Sequence, residues 1–393
     1  MPGAVGRALV ALAALVALGP APSSGQLVLP PPIAFEVGPE PVPFRSRGRH
    51  QLAYEVYLTN FGRAARTLNS VEVRTDDDAE AVAIIAGEEL KALVGRPGID
   101  RKSEDPRTFR PTTRGVVFFW VTLPEGSDLP RTLRHRFAFT ANLEGRPPLP
   151  QVVEGPAVRV AATRAPRLGP PLKGDGWVAR ALSPTSYQRQ GLLILDGRPT
   201  LGQRFAVDWN RYGPDGAAAR GEGRRNSDYA AFGGEVIAVS DAGVALAVDG
   251  RPQIDPADDP PGGAALDNRQ VFGNFVILDL GGGVFALYAH LQPGLKVETG
   301  QRVERGQLLG RVGRSGDASG PHLHFHLWRG PASDGSFPTP GEGLPFEIEE
   351  FAVLGEETPE EAEAGRWSPP REGRAEIRRR EMPGQGEVLR FAG

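Results

Sequence analysis

Cysteine is absent from all 393 residues, which excludes a disulfide frame, a thiolate nucleophile and any cysteine metal ligand. Excess charge of one sign is missing as well. The 45 basic and 48 acidic residues leave a formal net charge of −3, so nothing in the balance supports an electrostatic grip on nucleic acid. There is also no apolar run of the roughly 20 residues that a bilayer-spanning helix needs. The nearest approach is Ala8 to Leu18, which follows Arg7 and precedes Gly19-Pro20 and the small residues Ala21, Ser23, Ser24 and Gly25. That layout is expected of a signal peptide over residues 1–25, with export to the periplasm or extracellular space and no stable membrane insertion. Without disulfides, an exported protein rests on its core or on a metal.

What is present is glycine and proline in quantity, 51 and 38 residues, a level that suits a loop-rich β protein and lies below that of low-complexity disorder. The pattern predicts an all-β chain. Over residues 26–163, Leu52, Tyr54, Val56 and Leu58 alternate with Ala53, Glu55, Tyr57 and Thr59 ahead of Asn60-Phe61-Gly62. Further short strands at Val71 to Val73, Val116 to Val121, Leu133 to Phe139 and Val158 to Val160 suggest an immunoglobulin-like β-sandwich. His135 shares a face with Phe137 and Phe139 and reads as packed, whereas His50 reads as a solvated loop residue. A protein partner, if there is one, is expected to dock on this sandwich.

Residues 164–174 carry two X-Pro steps and read as an exposed linker, and residues 175–352 form a second β domain. Its strands are expected at Gln203 to Trp209, Glu235 to Val239, Val244 to Val248, Phe275 to Leu280, Val284 to His290 and Leu323 to Trp328. Polar stretches from Gly213 to Asp228 and from Gly250 to Arg269 read as long loops beside a cleft. Residues 353–393 are charge-rich and read as a solvated, flexible tail.

Chemistry concentrates in the second domain. Four of the six histidines are His290, His322, His324 and His326, and the last three alternate in Pro321-His322-Leu323-His324-Phe325-His326-Leu327. A strand points such residues to one face, with backbones roughly 6.6 Å apart, while Leu323, Phe325 and Leu327 face a core. One imidazole can then bind a metal and leave its neighbour free as a base.

The ordered run Tyr288-Ala289-His290-Leu291, then the glycines Gly300, Gly306, Gly310, Gly313 and Gly316, then Ser319-Gly320-Pro321-His322-Leu323-His324-Phe325, resembles the lysostaphin-type zinc endopeptidases of bacterial cell walls. The similarity covers roughly residues 200 to 330. It implies a lysostaphin-type antiparallel β-sheet peptidase domain, zinc as cofactor and peptidoglycan peptides as substrate. It implies Asp208 and His324 as zinc ligands, and His322 and His290 as the pair that orients water and stabilises the transition state. The same glycine rhythm is similar to lipoyl carriers, but Lys296 lies outside a carrier hairpin.

One position departs from the family. Its first zinc-binding histidine stands four residues before the aspartate, where this chain has Arg204. A guanidinium has no lone pair for a metal, and strand alternation places it beside Asp208, where it would compete for the carboxylate. His326 is the replacement that the sequence offers, since it shares a face with His324. Two functions stay open on this basis: a zinc metalloendopeptidase cutting peptidoglycan cross-links, and a catalytically inactive relative that binds wall peptides or activates another wall hydrolase.

Overall fold

The computed structural model describes residues 30–76, 80–96, 104–258, 270–333, 339–369 and 375–392. The expected signal peptide, residues 1–25, lies outside the described residues.

The chain is all-β, built from several sheets that are almost wholly antiparallel. Near the N-terminus, one sheet orders the strands Ile33–Val37, Arg49–Asn60, Arg114–Thr122 and Val94–Gly95, and another orders Leu149–Glu154, Thr132–Asn142, Ala65–Arg74 and Ala81–Ala86. Leu52, Tyr54, Val56, Val117 and Phe119 of the first meet Leu68, Val71, Phe137 and Phe139 of the second in one core. His135 is buried in that core as expected, 2.7 Å from the Tyr54 hydroxyl. His50 is not a loop residue. It is half-buried in the strand Arg49–Asn60, opposite Arg45, because Phe44–Ser46 folds back to pair with it.

The alternate residues of that strand are buried too, against the rest of the chain. Ala53 joins the large second core, Tyr57 packs with Val116, Phe118 and Leu201, and Glu55 is fully buried. The sandwich is therefore covered on its outer face, which explains why this strand has buried residues on both sides.

Among the described residues the second unit contains a twelve-stranded sheet. Its central strands run in the order Gly174–Arg180, Val207–Arg211, Leu323–Arg329, Val284–Leu291, Asn274–Asp279 and Ala242–Val248. Leu323, Phe325 and Leu327 enter the core with Val207 and Trp209, which leaves the even-numbered residues on the opposite face. The predicted strand Gln203 to Trp209 begins late, at Val207, because Gly202 to Phe205 form a turn.

Two boundary expectations need correction. Residues 164–174 are no exposed linker: Ala165, Leu168 and Leu172 are buried, and Arg167–Leu168 pairs in parallel with Glu347–Glu356. Nor is the region after residue 352 a solvated tail. Glu387–Phe391 inserts between Glu347–Glu356 and Gly174–Arg180 and buries Val388, Leu389 and Phe391. Its charges pair across strands, as Arg390 with Asp175 and Arg379 with Glu350, so a charged composition is compatible with an ordered strand.

Candidate active site

Three adjacent strands carry the site. Asp208 on Val207–Arg211 lies directly opposite His324 on Leu323–Arg329, and His324 lies opposite Ala289 on Val284–Leu291. His290, one residue beyond Ala289, would fall on the core side with Tyr288 if the alternation continued. Instead its φ of 61° places it in the left-handed region, and its ring turns to within 4.8 Å of the His322 ring and 5.9 Å of the His324 ring, centroid to centroid. The strained backbone brings the fourth imidazole to the site.

The two outer rings are held in the same way. His290 Nδ1 donates to the Ser315 carbonyl at 2.8 Å, and His322 Nδ1 donates to the Gly320 carbonyl at 2.8 Å. A neutral ring tied at Nδ1 carries its lone pair on Nε2. Burial, then the neighbouring His322 and His324, hold His290 well below its ordinary pKa, which keeps it neutral. Gly316 has φ of 73° and lies so close to Val271 and Gly273 that a Cβ would strike their backbone; the glycine loop thereby fixes Ser315 under His290.

The inner pair is closer. His324 Nδ1 stands 2.8 Å from Asp208 Oδ1, and His322 Nε2 stands 3.6 Å from the same oxygen. Burial alone would raise the pKa of Asp208, but His322 and His324 beside it hold the carboxyl well below the usual range. On its other side, His324 Nε2 lies 2.9 Å from His326 Nδ1, and His326 Nε2 lies 2.9 Å from Thr339 Oγ1. His326 thus meets the ring nitrogen of His324 that does not face Asp208. This place differs from the expected one, a shared ligand with Asp208, because same-face neighbours on one strand stack in a row rather than converge on a point.

Arg204 also differs from expectation. Its guanidinium turns away from Asp208 to form a bidentate pair with Glu55 of the sandwich, Nε to Oε1 at 3.0 Å and Nη2 to Oε2 at 2.7 Å, with Glu342 3.0 Å from Nη2. The turn at Gly202 to Phe205 breaks the alternation that would have aimed it at the aspartate. The place beside Asp208 is taken by Gln188, which no sequence signal marked. Its Nε2 donates to Asp208 Oδ2 at 2.7 Å and lies 3.5 Å from His324 Nδ1.

Among the described residues, no three His, Cys, Asp or Glu side chains come together as a metal-holding group. The polar atoms at the Asp208 corner nevertheless fit a divalent cation. Gln188 Oε1 is buried with no hydrogen-bond partner, and it belongs to an amide that already touches both Asp208 and His324. The histidine row has two consistent proton orders. In one, His324 Nε2 donates to His326 and His326 Nε2 donates to Thr339, leaving two acceptors, His324 Nδ1 and Asp208 Oδ1, face to face at 2.8 Å. A cation satisfies that arrangement.

Residues 226–335 match the model of Peptidase family M23. This segment is an M23 peptidase domain. It contains all four site histidines and begins after Asp208. The peptidoglycan DD-endopeptidases ShyA and ShyC of Vibrio cholerae are 42% and 43% identical to this chain over 60 and 59 residues. Those stretches are 15% of this chain and only 14% and 13% of the two relatives, so the chain matches a small part of their length. The catalytic domain of lysostaphin from Staphylococcus simulans is 20% identical, with 42% of this chain and 86% of that one covered, at a TM-score of 0.21. A zinc-containing peptidase from Vibrio cholerae is 15% identical, with 79% and 86% covered, at a TM-score of 0.22. At such scores the structural likeness carries no argument.

Proposed function

We propose that this M23 domain belongs to an exported zinc metalloendopeptidase that hydrolyses peptide cross-links of peptidoglycan. One observation carries the reading: two imidazoles, His290 and His322, each tied at Nδ1 to a backbone carbonyl, flank a carboxylate and imidazole pair, Asp208 and His324, set face to face. The names of the two curated relatives support the substrate class. A cross-linked wall lies outside the cytoplasmic membrane, so the protein is assigned to the periplasm or the extracellular side of the envelope.

Asp208 and His324 would hold the zinc. Bound there, zinc supplies a lowered pKa for water and polarises the scissile carbonyl. This chain's own residues handle the proton. His322 Nε2, the outer imidazole nitrogen near Asp208, accepts a proton from the attacking water, and once protonated it donates to the departing amine. His290 lies beside it with its own lone pair on Nε2 and offers a second acceptor for that proton; a ring protonated at Nε2 can then donate to the carbonyl oxygen as it gains charge. His326 and Thr339 orient His324 from behind, as outer partners of a metal-binding histidine do.

The purified full chain, incubated with cell-wall sacculi, is expected to release soluble peptides, and His324→Ala is expected to abolish release. Undiminished release by that variant overturns the mechanism. A second reading is favoured by one specific observation, the commitment of Arg204 to Glu55 in place of a ligand histidine. On that reading the chain binds wall peptides, or activates another wall hydrolase, without cutting. Sacculus binding without release of peptides, by protein containing no zinc even after soaking, supports it over the enzyme.

A further inference from the structure

We propose that Gln188 supplies, through Oε1, the third protein ligand of the metal site, in place of the histidine that Arg204 has displaced. The inference rests on the zinc of the proposed function and adds to it a residue from outside the M23 match. The amide touches both remaining ligands: its nitrogen is 2.7 Å from Asp208 Oδ2 and 3.5 Å from His324 Nδ1, and those two side chains approach each other at 2.8 Å. Ligand atoms around a tetrahedral zinc with bonds of 2.0–2.1 Å stand about 3.3 Å apart, so the three groups, in mutual contact at 2.7–3.5 Å, would have to spread by roughly half an ångström at the carboxylate to admit the metal. The oxygen and nitrogen of an amide exchange places by a half-turn of its terminal bond. With a cation present, that turn would bring Oε1 to the metal and carry Nε2 away from the carboxylate into the buried place that Oε1 now holds.

The competing third ligands fit less well. His326 reaches only the nitrogen of His324 that faces away from Asp208. His322 stands 3.6 Å from Asp208, and those two with His324 do not form a metal-holding group. Arg204 has no lone pair and points to Glu55.

The sandwich sets the position of Gln188. The next residue, Arg189, is fully buried; its Nη2 donates to the Phe119 carbonyl at 2.6 Å and its guanidinium lies 5.1 Å from the Trp120 ring centre. Gln190 Nε2 donates to the Ala92 carbonyl at 3.0 Å. Both anchors belong to the N-terminal unit, so docking of the sandwich onto the peptidase unit delivers the ligand. Substitution of a histidine by an amide oxygen also predicts weaker zinc binding than three charged or aromatic-nitrogen ligands give, because the amide is a neutral, hard donor.

The test is zinc itself, followed by equilibrium dialysis and by X-ray absorption at the zinc edge, on the full chain and its variants. The parent is expected to bind one zinc with a single imidazole in its first coordination sphere. Gln188→His should show two imidazoles and tighter binding. Gln188→Glu, which keeps an oxygen at the same reach, should retain the metal, as should His322→Ala. Gln188→Leu should weaken binding by more than about a hundredfold, beyond the roughly 10–100-fold that outer partners are worth. Undiminished zinc affinity in Gln188→Leu, or two imidazoles in the parent, overturns the assignment of Gln188 while leaving the zinc enzyme intact. A parent that takes up no zinc overturns both, and sacculus digestion by the same preparation then separates a metal-free hydrolase from a binder.

Discussion

Two buried charged clusters lie near each other in this chain, and they are satisfied to very different degrees. At the junction with the sandwich, Arg204 meets Glu55 through two parallel hydrogen bonds, adds Glu342 and the Gly343 carbonyl, and leaves none of its three nitrogens idle. At the site, Asp208, His324 and Gln188 press together with an orphaned amide oxygen among them. A guanidinium satisfied at every nitrogen has no place for a ligand and acts as a clamp, whereas Arg189, 3.8 Å from the same Glu55, keeps Nε and Nη1 without hydrogen-bond partners. The incompletely satisfied cluster at the site leaves an acceptor unpaired, and it is there that the proposed cation would sit. Position 204, where the resemblance implies a ligand histidine, belongs here to the first cluster.

The largest expected effect is on the clamp. Glu55→Ala strands the Arg204 guanidinium in a buried interface with only Glu342 for a charge partner, and breaking a buried pair in this way costs about 3–5 kcal/mol. Arg204→His, which on sequence grounds would restore a zinc ligand, is expected to do no such thing. The turn at Gly202 to Phe205 aims the side chain at Glu55, so the variant should lose stability by a similar amount and gain no zinc. Urea unfolding with zinc content measured in parallel checks both; a second bound zinc ligand in Arg204→His would erase the distinction between the clusters.

A third buried group tests whether the sandwich tolerates charge at all. Among the described residues His135 has no carboxylate partner, only the Tyr54 hydroxyl and the backbone at Pro156, and burial pushes its pKa down from 6.5 to about 4. The unfolded chain binds this proton from about pH 6.5 downward and the folded chain only near pH 4. Stability is therefore full above pH 6.5 and is lost progressively as pH falls from 6.5 to about 4, by about 3 kcal/mol at 1.36 kcal/mol per pH unit. Comparing urea midpoints at pH 7 and pH 4.5 for the parent and His135→Phe should show the difference shrink in the variant. An equal acid loss in both would place the sensitivity elsewhere.

Much of this contrast was legible before any coordinates. Alternation placed Leu323, Phe325 and Leu327 inward and the histidines on the other face, the succession of short strands pointed to the all-β class, and the motifs of residues 288–325 pointed to the family. Composition misled at residues 353–393, where the apolar residues Val388, Leu389 and Phe391 of Glu387–Phe391 are outweighed by surrounding charge. Three features of the site were out of reach. The left-handed φ of His290 reverses the face that alternation assigns it. Arg204 turns away because a tight turn precedes its strand, and its partner Glu55 is 149 positions earlier. Gln188 stands in no motif and reaches Asp208 only because its neighbours are anchored on the sandwich.

That anchoring gives a graded test. Arg189→Met keeps the length and packing of the side chain but removes the hydrogen bond to Phe119, so the loop carrying Gln188 should loosen and zinc affinity fall by roughly tenfold, the lower end of what outer partners contribute.

The smallest expected effect probes the order of protons along the histidine row. If His324 Nδ1 is a metal ligand, Nε2 donates to His326, His326 donates to Thr339, and Thr339 Oγ1 must accept. In the opposite order, with Asp208 accepting from His324 Nδ1, Thr339 must donate. Thr339→Val removes both options and leaves a buried ring nitrogen unpaired, at a cost of about 1–3 kcal/mol in whichever form depends on it. Thr339→Val should then weaken zinc binding and lower the stability of the zinc-loaded protein more than that of the zinc-free one, because only the loaded form holds the row in a single proton order. Equal losses with and without zinc would show that Thr339 supports the strand and not the ligand, and the outer side of His324 would then be structural like the Arg204 clamp.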